Sequence, residues 1–307
     1  MLMVVMLHLG FARTDEGFLK PELPIGSFAG VAMPLFFMVS GYLLSMRKPS
    51  FEYSRKKIWG ILRFCLIICI PLSAIMTFTS GNLVLLFPEC LIQEGRLYQY
   101  WYFGSMMIIY AMLPYLLNII QSKWLRPMLI VGLILCSFIF ILNISNGFEK
   151  RIIQTFRFWN WLFYFLLGAY IKLHENVFKH IKWYWVIPSF VIYLLFFKWV
   201  AVGANEYYFC SPLCMIHSTV CFVSILNLNI SDSKLVAVLS DCFLPVYTFH
   251  TYIEVILCSK TPLFKAMEHS FQTETAYILE YLIAAIVCIS FSLVLMRIPY
   301  MDKIFRI

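Results

Sequence analysis

Charged residues are scarce in this chain of 307 residues: Asp, Glu, Lys and Arg make up 13% of it, whereas 62% of its residues are hydrophobic. Soluble globular domains carry about 25% charged and about 45–50% apolar residues. A water-soluble fold could not bury so much apolar surface, and no polar stretch is long enough to form a soluble domain beside it. The composition therefore excludes a soluble protein and predicts a single membrane-embedded domain over residues 1–307.

The sequence also lacks the short motifs of common hydrolytic and nucleotide-binding sites. It has no HExxH, GxSxG or P-loop pattern, and its ten cysteines show no CxxC or Cys/His spacing. We therefore expect no metal site, no disulfide framework and no permanently bound cofactor. The net charge of +8 comes from Lys and Arg clustered at the ends of apolar runs, so nucleic acid is not an expected partner.

Long apolar runs are what the chain has in abundance. About 20 apolar residues cross a bilayer as a helix, and nine runs approach or exceed that length: 28–46, 58–79, 98–120, 126–145, 157–173, 183–202, 208–229, 235–258 and 275–297. The opening segment 1–12 is apolar but too short, and it does not have the pattern of a signal peptide. The predicted fold class is all-α, a polytopic membrane bundle of about ten transmembrane helices with the first one truncated. Segment 82–91 is half a span, so we expect it to be re-entrant or interfacial.

The distribution of basic residues predicts the orientation in the membrane. If the chain starts in the cytoplasm and each run crosses once, fifteen of the 24 Lys and Arg residues lie inside and nine lie outside. Cytoplasmic loops carry an excess of Lys and Arg. We therefore expect a multi-pass protein of the cell inner membrane with both termini in the cytoplasm.

Ionisable side chains within the predicted spans are candidates for function, because they are costly in lipid. His8 has no polar neighbour in LMVVMLHLGF, so it needs a partner from another helix; it is either a base that exchanges protons near neutrality or a satisfied core histidine. His250 and Glu254 share a helix face with Tyr247, and this stripe either lines a substrate cavity or joins two helices by hydrogen bonds. The other candidates within predicted spans are Arg63, His217, Asp241 and Glu280.

Several segments, in order along the chain, resemble the acyltransferase 3 family of integral membrane acyltransferases. They are LMVVMLH (2–8), GVAMPLFFMVSGYLL (30–44), YSRKKIWGILR (53–63), YWYFGSMMIIYAMLP (100–114), FYFLLGAYI (163–171) and YTFH (247–250). Within that family, the chain is most similar to the enterobacterial common antigen O-acetyltransferase and related surface-polysaccharide O-acetyltransferases.

The resemblance implies an O-acyltransferase that transfers acetyl from acetyl-CoA to a sugar hydroxyl of a lipid-linked or cell-surface polysaccharide, with His8 as the general base. The residues expected to bind or shape the sites for substrate and acyl donor are Phe36, Phe37, Ser40, Gly41, Arg55, Lys56, Lys57, Arg63, Trp101, Tyr247, His250 and Glu254. The expected partners are acetyl-CoA, a glycan acceptor and the lipid bilayer. The sequence does not define the oligomeric state.

Two features depart from the family pattern. The family's arginine ten or eleven residues before the first-helix histidine would fall before Met1, and the RxxR pair after the second helix is only approximated by the basic segment Arg55 to Arg63. A helix of twelve residues rises about 18 Å, short of the roughly 30 Å hydrocarbon core, which suggests a late-assigned start or a truncated gene. The alternatives left open are a transporter or flippase for a glycan or small molecule, with a relay of buried histidines and Glu254, and an inactive truncated family member.

Overall fold

The computed structural model describes residues 2–13, 28–199, 208–228, 233–260, 262, 264, 266 and 273–305. These residues form α-helices joined by loops and short 3-10 turns, and no β-strand occurs among them. The helices are α1 (Leu2–Arg13), α2 (Ala32–Leu44), α3 (Phe51–Ser80), α4 (Trp101–Ile120), α5 (Leu125–Asn146), α6 (Phe158–Leu173), α7 (Glu175–Phe178), α8 (Val186–Trp199), α9 (Pro212–Leu226), α10 (Lys234–Asp241), α11 (Phe243–Lys260), α12 (Thr273–Leu295) and α13 (Met301–Ile304).

The helices confirm the predicted all-α membrane bundle. Among the described residues, four stretches are long and apolar enough to cross a membrane: Phe51–Ser80, Tyr98–Ile120, Leu125–Asn146 and Thr275–Leu295. Four shorter apolar helices are Phe28–Leu44, Trp183–Trp199, Pro212–Leu226 and Phe243–Cys258. The apolar runs identified in the sequence therefore coincide with helices.

One predicted run, 235–258, is not a single helix. Helix α10 ends at Asp241 and α11 begins at Phe243. Pro245 lies in the first turn of α11 and has no backbone N–H, so it cannot continue a hydrogen-bond ladder that arrives from α10. As a result Asp241 is exposed at the end of α10 rather than placed within a span.

Helix α3 begins at Phe51, before the predicted start at residue 58. The hydroxyl of Ser50 accepts a hydrogen bond from the backbone N–H of Tyr53 at 3.2 Å, and Glu52 lies in the first turn. Both features stabilise a helix N-terminus. The basic segment of residues 55–63 is therefore helical.

Segment 82–91, the predicted half-span, does not form a membrane-length helix. Its backbone N–H groups at Val84 and Leu86 donate to the hydroxyls of Thr77 and Ser73, at 2.9 and 3.1 Å. The segment therefore runs back along the last turns of α3, and its last residues enter a 3-10 turn at Glu89–Ile92.

Contacts within the chain group its residues into two compact units. Unit 1 contains residues 1–33, 181–207 and 216–306, and unit 2 contains residues 34–180, 208–215 and 307. In unit 1, α1 packs against both α11 and α12, and α11 packs against α12. In unit 2, α3 packs on α4 and α5 packs on α6. The single domain over 1–307 stays a prediction.

Candidate active site

The helices α1, α11 and α12 enclose one apolar core in unit 1. Val5 and Leu9 of α1 are four residues apart on one helix face, and both are fully buried in this core. On α12 the small residues Ala284 and Cys288 have the same spacing and are also fully buried. Small side chains let membrane helices approach closely, and this close packing surrounds the polar groups described next.

His8 and His250 lie side by side in unit 1. Their ring centroids are 5.0 Å apart and the ring planes are tilted by 58°. His8 is 5% exposed and His250 is fully buried. The structure thus supplies what the sequence required of His8, a polar neighbour from another helix.

The hydrogen bonds of His250 fix which of its ring nitrogens carries a proton. Nδ1 lies 3.0 Å from the carbonyl oxygen of Val246 and 2.9 Å from that of Tyr247. A carbonyl oxygen only accepts, so Nδ1 is the donor, and in the neutral ring Nε2 holds the lone pair. Within the described part of the chain, Nε2 has no hydrogen-bond partner. His250 therefore offers a buried acceptor beside His8.

Glu254 lies one helical turn after His250 on α11, and its side chain is 1% exposed. Neither carboxyl oxygen has a hydrogen-bond partner among the described residues. Tyr247, one turn before His250, is buried as well, and its ring centroid is 6.1 Å from that of His250. The polar stripe predicted on this helix is thus buried along its whole length, and two of its members have unused acceptors.

His217, by contrast, is held as a structural residue within unit 1. Its Nδ1 is 2.9 Å from the hydroxyl of Ser189, and its ring stacks on Tyr193 with centroids 5.4 Å apart. These contacts account for a buried histidine without a ligand. Of the sequence's ionisable candidates in unit 1, His8 and His250 lie side by side, and Glu254 follows His250 by one turn on the same helix.

The FFxxSG segment of α2 forms a close helix crossing with α6 in unit 2. A Cβ added to Gly41 would lie 1.8 Å from the carbonyl oxygen of Phe165, and one added to Gly168 would lie 2.0 Å from that of Met38. Only glycine permits backbones to approach this closely. The two glycines therefore set the spacing of α2 and α6.

Aromatic side chains surround this crossing. Phe37 is fully buried and stacks on Trp161 with centroids 4.8 Å apart, and Trp101 lies 5.0 Å from Trp161. Phe36 packs against Tyr102 at 5.6 Å. The hydroxyl of Ser40 donates to the Phe36 carbonyl at 3.0 Å and lies 3.2 Å from the hydroxyl of Tyr102. Phe36, Phe37, Ser40, Gly41 and Trp101 are thus one packed cluster.

The basic residues proposed from the sequence lie on the first turns of α3. Arg55, Lys56 and Arg63 are exposed, and Lys57 is half-buried. Lys56 forms a 2.7 Å ion pair with Glu52 on the same helix, where both side chains are largely exposed. Such surface pairs contribute little to stability.

A family model for an acyltransferase domain, acyltransferase 3, matches residues 1–297. The chain belongs to this acyltransferase family. No curated protein and no solved structure matches the chain.

As a member of the acyltransferase 3 family, the chain is a membrane acyltransferase. The thirteen residues proposed for its site fall into three groups: the unit 1 cluster of His8, Tyr247, His250 and Glu254, the packed aromatic cluster on α2 and α4, and the basic residues of α3. No group of three His, Cys, Asp or Glu side chains that could hold a metal ion occurs in the part of the chain that the structure describes.

Sequence reasoning about this acyltransferase missed Glu149, which is fully buried in unit 2. Its Oε1 accepts from the indole of Trp159 at 2.8 Å and the amide of Asn160 at 2.7 Å. Its Oε2 accepts from the amide of Asn143 at 3.0 Å and the thiol of Cys210 at 3.3 Å. Four donors satisfy both oxygens, so the arrangement is that of a structural carboxylate. Glu149 lies between two apolar runs, where the sequence reads as an ordinary polar loop.

A second polar cluster, at the end of α6, also lies outside the sequence prediction. Lys172 pairs with Glu175 at 2.8 Å, and the hydroxyl of Tyr42 donates to the same carboxylate oxygen. The ion pair with Lys172, followed by the hydrogen bond from Tyr42, holds the pKa of Glu175 below its usual range. Glu175 is therefore ionised at neutral pH and neutralises the charge of Lys172.

Proposed function

We propose that this membrane acyltransferase transfers an acetyl group from acetyl-CoA to a sugar hydroxyl of a lipid-linked or cell-surface polysaccharide, with His8 as the general base. The observation that carries the proposal is the buried pair of His8 and His250, whose ring centroids are 5.0 Å apart. The likeness to surface-polysaccharide O-acetyltransferases in the sequence supports the choice of donor and acceptor.

The proposed reaction needs one proton to be taken and returned. The acceptor hydroxyl oxygen attacks the thioester carbonyl carbon while His8 takes the hydroxyl proton. The tetrahedral intermediate collapses, the carbon–sulfur bond breaks, and the proton passes from His8 to the coenzyme A sulfur. The products are the acetyl ester and free coenzyme A, and no covalent enzyme intermediate is required. General-base assistance of this kind contributes about 10²–10⁴-fold to the rate.

His250 and Glu254 are proposed to serve the acceptor side of the same reaction. Their acceptor atoms, Nε2 and the two carboxyl oxygens, have no partner among the described residues. Leaving buried polar atoms unpaired costs about 1–3 kcal/mol each. The hydroxyl groups of a sugar supply the donors that these atoms lack, so substrate binding would offset that cost.

The basic residues of α3, Arg55, Lys56, Lys57 and Arg63, are proposed to hold the anionic donor at the cytoplasmic face. They lie on one helix, and three of them are exposed. Charge-assisted hydrogen bonds from such groups suit phosphate oxygens. This assignment depends on the inner-membrane orientation proposed from the distribution of Lys and Arg.

The test is acetyl transfer in membranes that contain the protein. Acetyl-CoA labelled in the acetyl group should leave label on glycan, and coenzyme A should be released in equal amount. Membranes with His8→Ala protein at the same abundance provide the control. Movement of glycan across vesicles without acetyl incorporation would instead support a transporter.

A further inference from the structure

An open cleft of about 810 Å³ lies within unit 2 where several helices end. It is lined by the connection after α2, the connection between α4 and α5, and the end of α6. Small-molecule sites have volumes of about 300–1,000 Å³, so the cleft is large enough for a nucleotide-sized ligand. No residue proposed above for the site lines it.

The cleft is basic. Lys48, Lys123 and Arg126 line it together with His174, and none of the described lining residues is acidic. The polar groups of Gln121 and Ser122 and four apolar side chains complete the wall. Such a lining suits a ligand that carries both phosphates and apolar parts.

Two basic residues near the cleft have a partner within the described part of the chain, whereas the three cations that line the cleft have no acidic one. Arg47 lies over the ring of Tyr53 at 4.4 Å, and Lys172 is paired with Glu175. Within the described part of the chain, Lys48, Lys123 and Arg126 have no acidic partner. The positive-inside rule needs cations near the interface but does not require them to converge, unpaired, on one cleft.

The cations also lie where a helix end adds to their positive potential. Lys123 and Arg126 flank the start of α5, a helix of 22 residues whose first N–H groups receive no side-chain cap. Cations are unfavourable at this end of a helix, whereas an anion is stabilised there. A bound anion would therefore relieve the repulsion among the three side chains.

The walls of the cleft are held together before any ligand binds. The side-chain amide of Gln121 donates to the carbonyl oxygens of Ser45 at 3.1 Å and Arg47 at 2.6 Å, which ties two connections to each other. The ring of His174 stacks on Tyr170 with centroids 4.1 Å apart. A preformed site loses less conformational freedom on binding.

We propose that this cleft binds the phosphate-bearing nucleotide end of the acyl donor through Lys48, Lys123 and Arg126, in addition to the cations already proposed on α3. The proposal rests on the proposed function for the identity of the donor, since any ligand with several phosphates would meet the same charges. An anionic phospholipid headgroup shares this chemistry, and the experiment separates the two sources.

The experiment measures binding of coenzyme A by calorimetry to the full chain in discs of phosphatidylcholine, which carries no net charge. The cleft variant is Lys48→Gln/Lys123→Gln/Arg126→Gln. The control is Lys179→Gln/Lys182→Gln/Arg297→Gln, which removes three exposed cations elsewhere from the same side in the predicted orientation. The cleft variant should bind coenzyme A at least about tenfold more weakly, because charge-assisted phosphate contacts are lost. The control should match the unaltered protein.

Two further readouts test the role of phosphate. Adenosine 3′,5′-bisphosphate should compete with coenzyme A in the unaltered protein, and pantetheine, which has no phosphate, should not. Raising the salt concentration should weaken binding to the unaltered protein more than to the cleft variant, because salt screens exposed charges.

The outcomes distinguish the cleft from the proposed function. Unchanged coenzyme A affinity in the cleft variant overturns the proposal. If that variant also retains less phosphatidylglycerol than the unaltered protein after purification, the cleft is a lipid-headgroup site. Loss of phosphate-dependent binding in the cleft variant supports the cleft, even if the unaltered protein transfers no acetyl group. If the unaltered protein binds coenzyme A through the cleft but transfers no acetyl group, the proposed function is wrong and the proposed binding site is still supported.

Discussion

His8 and His250 come from opposite ends of the chain, yet their rings lie 5.0 Å apart in one buried core. Because the Nδ1 proton of His250 is committed to two backbone carbonyls of its own helix, its free lone pair is on Nε2. The pair therefore combines one histidine whose tautomer is fixed by the helix with a second on another helix. Such an arrangement suits a base that needs an oriented polar neighbour.

The first prediction concerns His8. His8→Gln should lower acetyl transfer by at least about a hundredfold, because glutamine forms hydrogen bonds but cannot carry the proton, and general-base assistance contributes about 10²–10⁴-fold. Protein yield and melting temperature should stay close to those of the unaltered chain. His8→Gln is compared with unaltered protein that itself shows measurable acetyl transfer in the same assay. Near-normal transfer in His8→Gln would make His8 a structural histidine.

The second prediction separates the two nitrogens of His250. In His250→Asn the amide N–H can still reach the carbonyls that Nδ1 serves, but nothing replaces Nε2. We expect kcat to fall at least about tenfold, as for loss of a group in the transition state, with little change in KM for acetyl-CoA and in melting temperature.

His250→Gln is the counterpart, because its longer amide places a polar group near the Nε2 position but leaves the carbonyls of Val246 and Tyr247 without a side-chain donor. It should lose thermal stability and keep more activity than His250→Asn. If activity simply follows melting temperature in both variants, His250 has only a structural role. If His250→Gln abolishes transfer and His8→Gln does not, the base has been misassigned to α1.

The third prediction concerns the crossing of α2 and α6. Gly41→Ala places a methyl group where the carbonyl oxygen of Phe165 would be 1.8 Å away, so the two helices must separate. Forced overpacking costs about 1–3 kcal/mol and sometimes more. We expect a lower melting temperature in detergent and loss of activity in proportion to the loss of folded protein.

Gly132→Ala is the matched control for Gly41→Ala. Its added methyl would meet the ring of Phe163 at 3.1 Å, and a side chain can shift where a backbone cannot. Alanine also favours a helix interior over glycine by about 1 kcal/mol. Gly132→Ala should therefore change the melting temperature little. An equal fall in melting temperature in both variants would contradict the explanation that backbone contact at Gly41 causes the loss.

The comparison of sequence with structure shows which features are local. The helices follow from runs of apolar residues, which are contiguous in the sequence, and the break before α11 could have been read from Pro245. The neighbour of His8 could not be predicted, because it lies in a helix more than 200 residues away. One of the four donors to Glu149, the thiol of Cys210, is likewise distant in sequence.

The basic cleft illustrates the same limit. Lys48 follows α2, whereas Lys123 and Arg126 flank the start of α5, and in the sequence each of the three is interpreted as an orientation signal. Their convergence appears only when the ends of α2, α4 and α6 are placed in space. The charge of each residue was predictable, but the shared surface was not.

The fourth prediction concerns the hydrogen-bonded Glu149. Glu149→Ala leaves four donors without an acceptor, those of Asn143, Trp159, Asn160 and Cys210. Removing one partner from a buried charged network costs about 3–5 kcal/mol, so the melting temperature should fall strongly. The control Glu52→Gln breaks only an exposed pair and should change nothing measurable. Equal stability of Glu149→Ala and the unaltered chain would mean that water replaces the carboxylate.

The fifth prediction sets Glu254 against Glu149. Both side chains are buried, but the oxygens of Glu254 have no partner among the described residues, whereas those of Glu149 have four donors. Glu254→Met keeps the side-chain length and removes both unpaired oxygens. Since an unpaired buried polar group costs about 1–3 kcal/mol, this variant should melt at the same or a higher temperature, whereas Glu149→Met should melt lower.

Transfer should respond to Glu254→Met in the opposite direction from stability. If Glu254 accepts hydrogen bonds from the glycan hydroxyls, its loss should raise KM for the acceptor and leave coenzyme A binding unchanged. Glu254→Gln keeps one acceptor oxygen, so its KM for the acceptor should lie between those of the unaltered protein and Glu254→Met. A drop in melting temperature for Glu254→Met would show that the carboxyl group stabilises the fold, and unaltered acceptor KM would remove it from the acceptor site. An unchanged or higher melting temperature of Glu254→Met, together with a higher KM for the acceptor, would identify Glu254 as a substrate-binding residue.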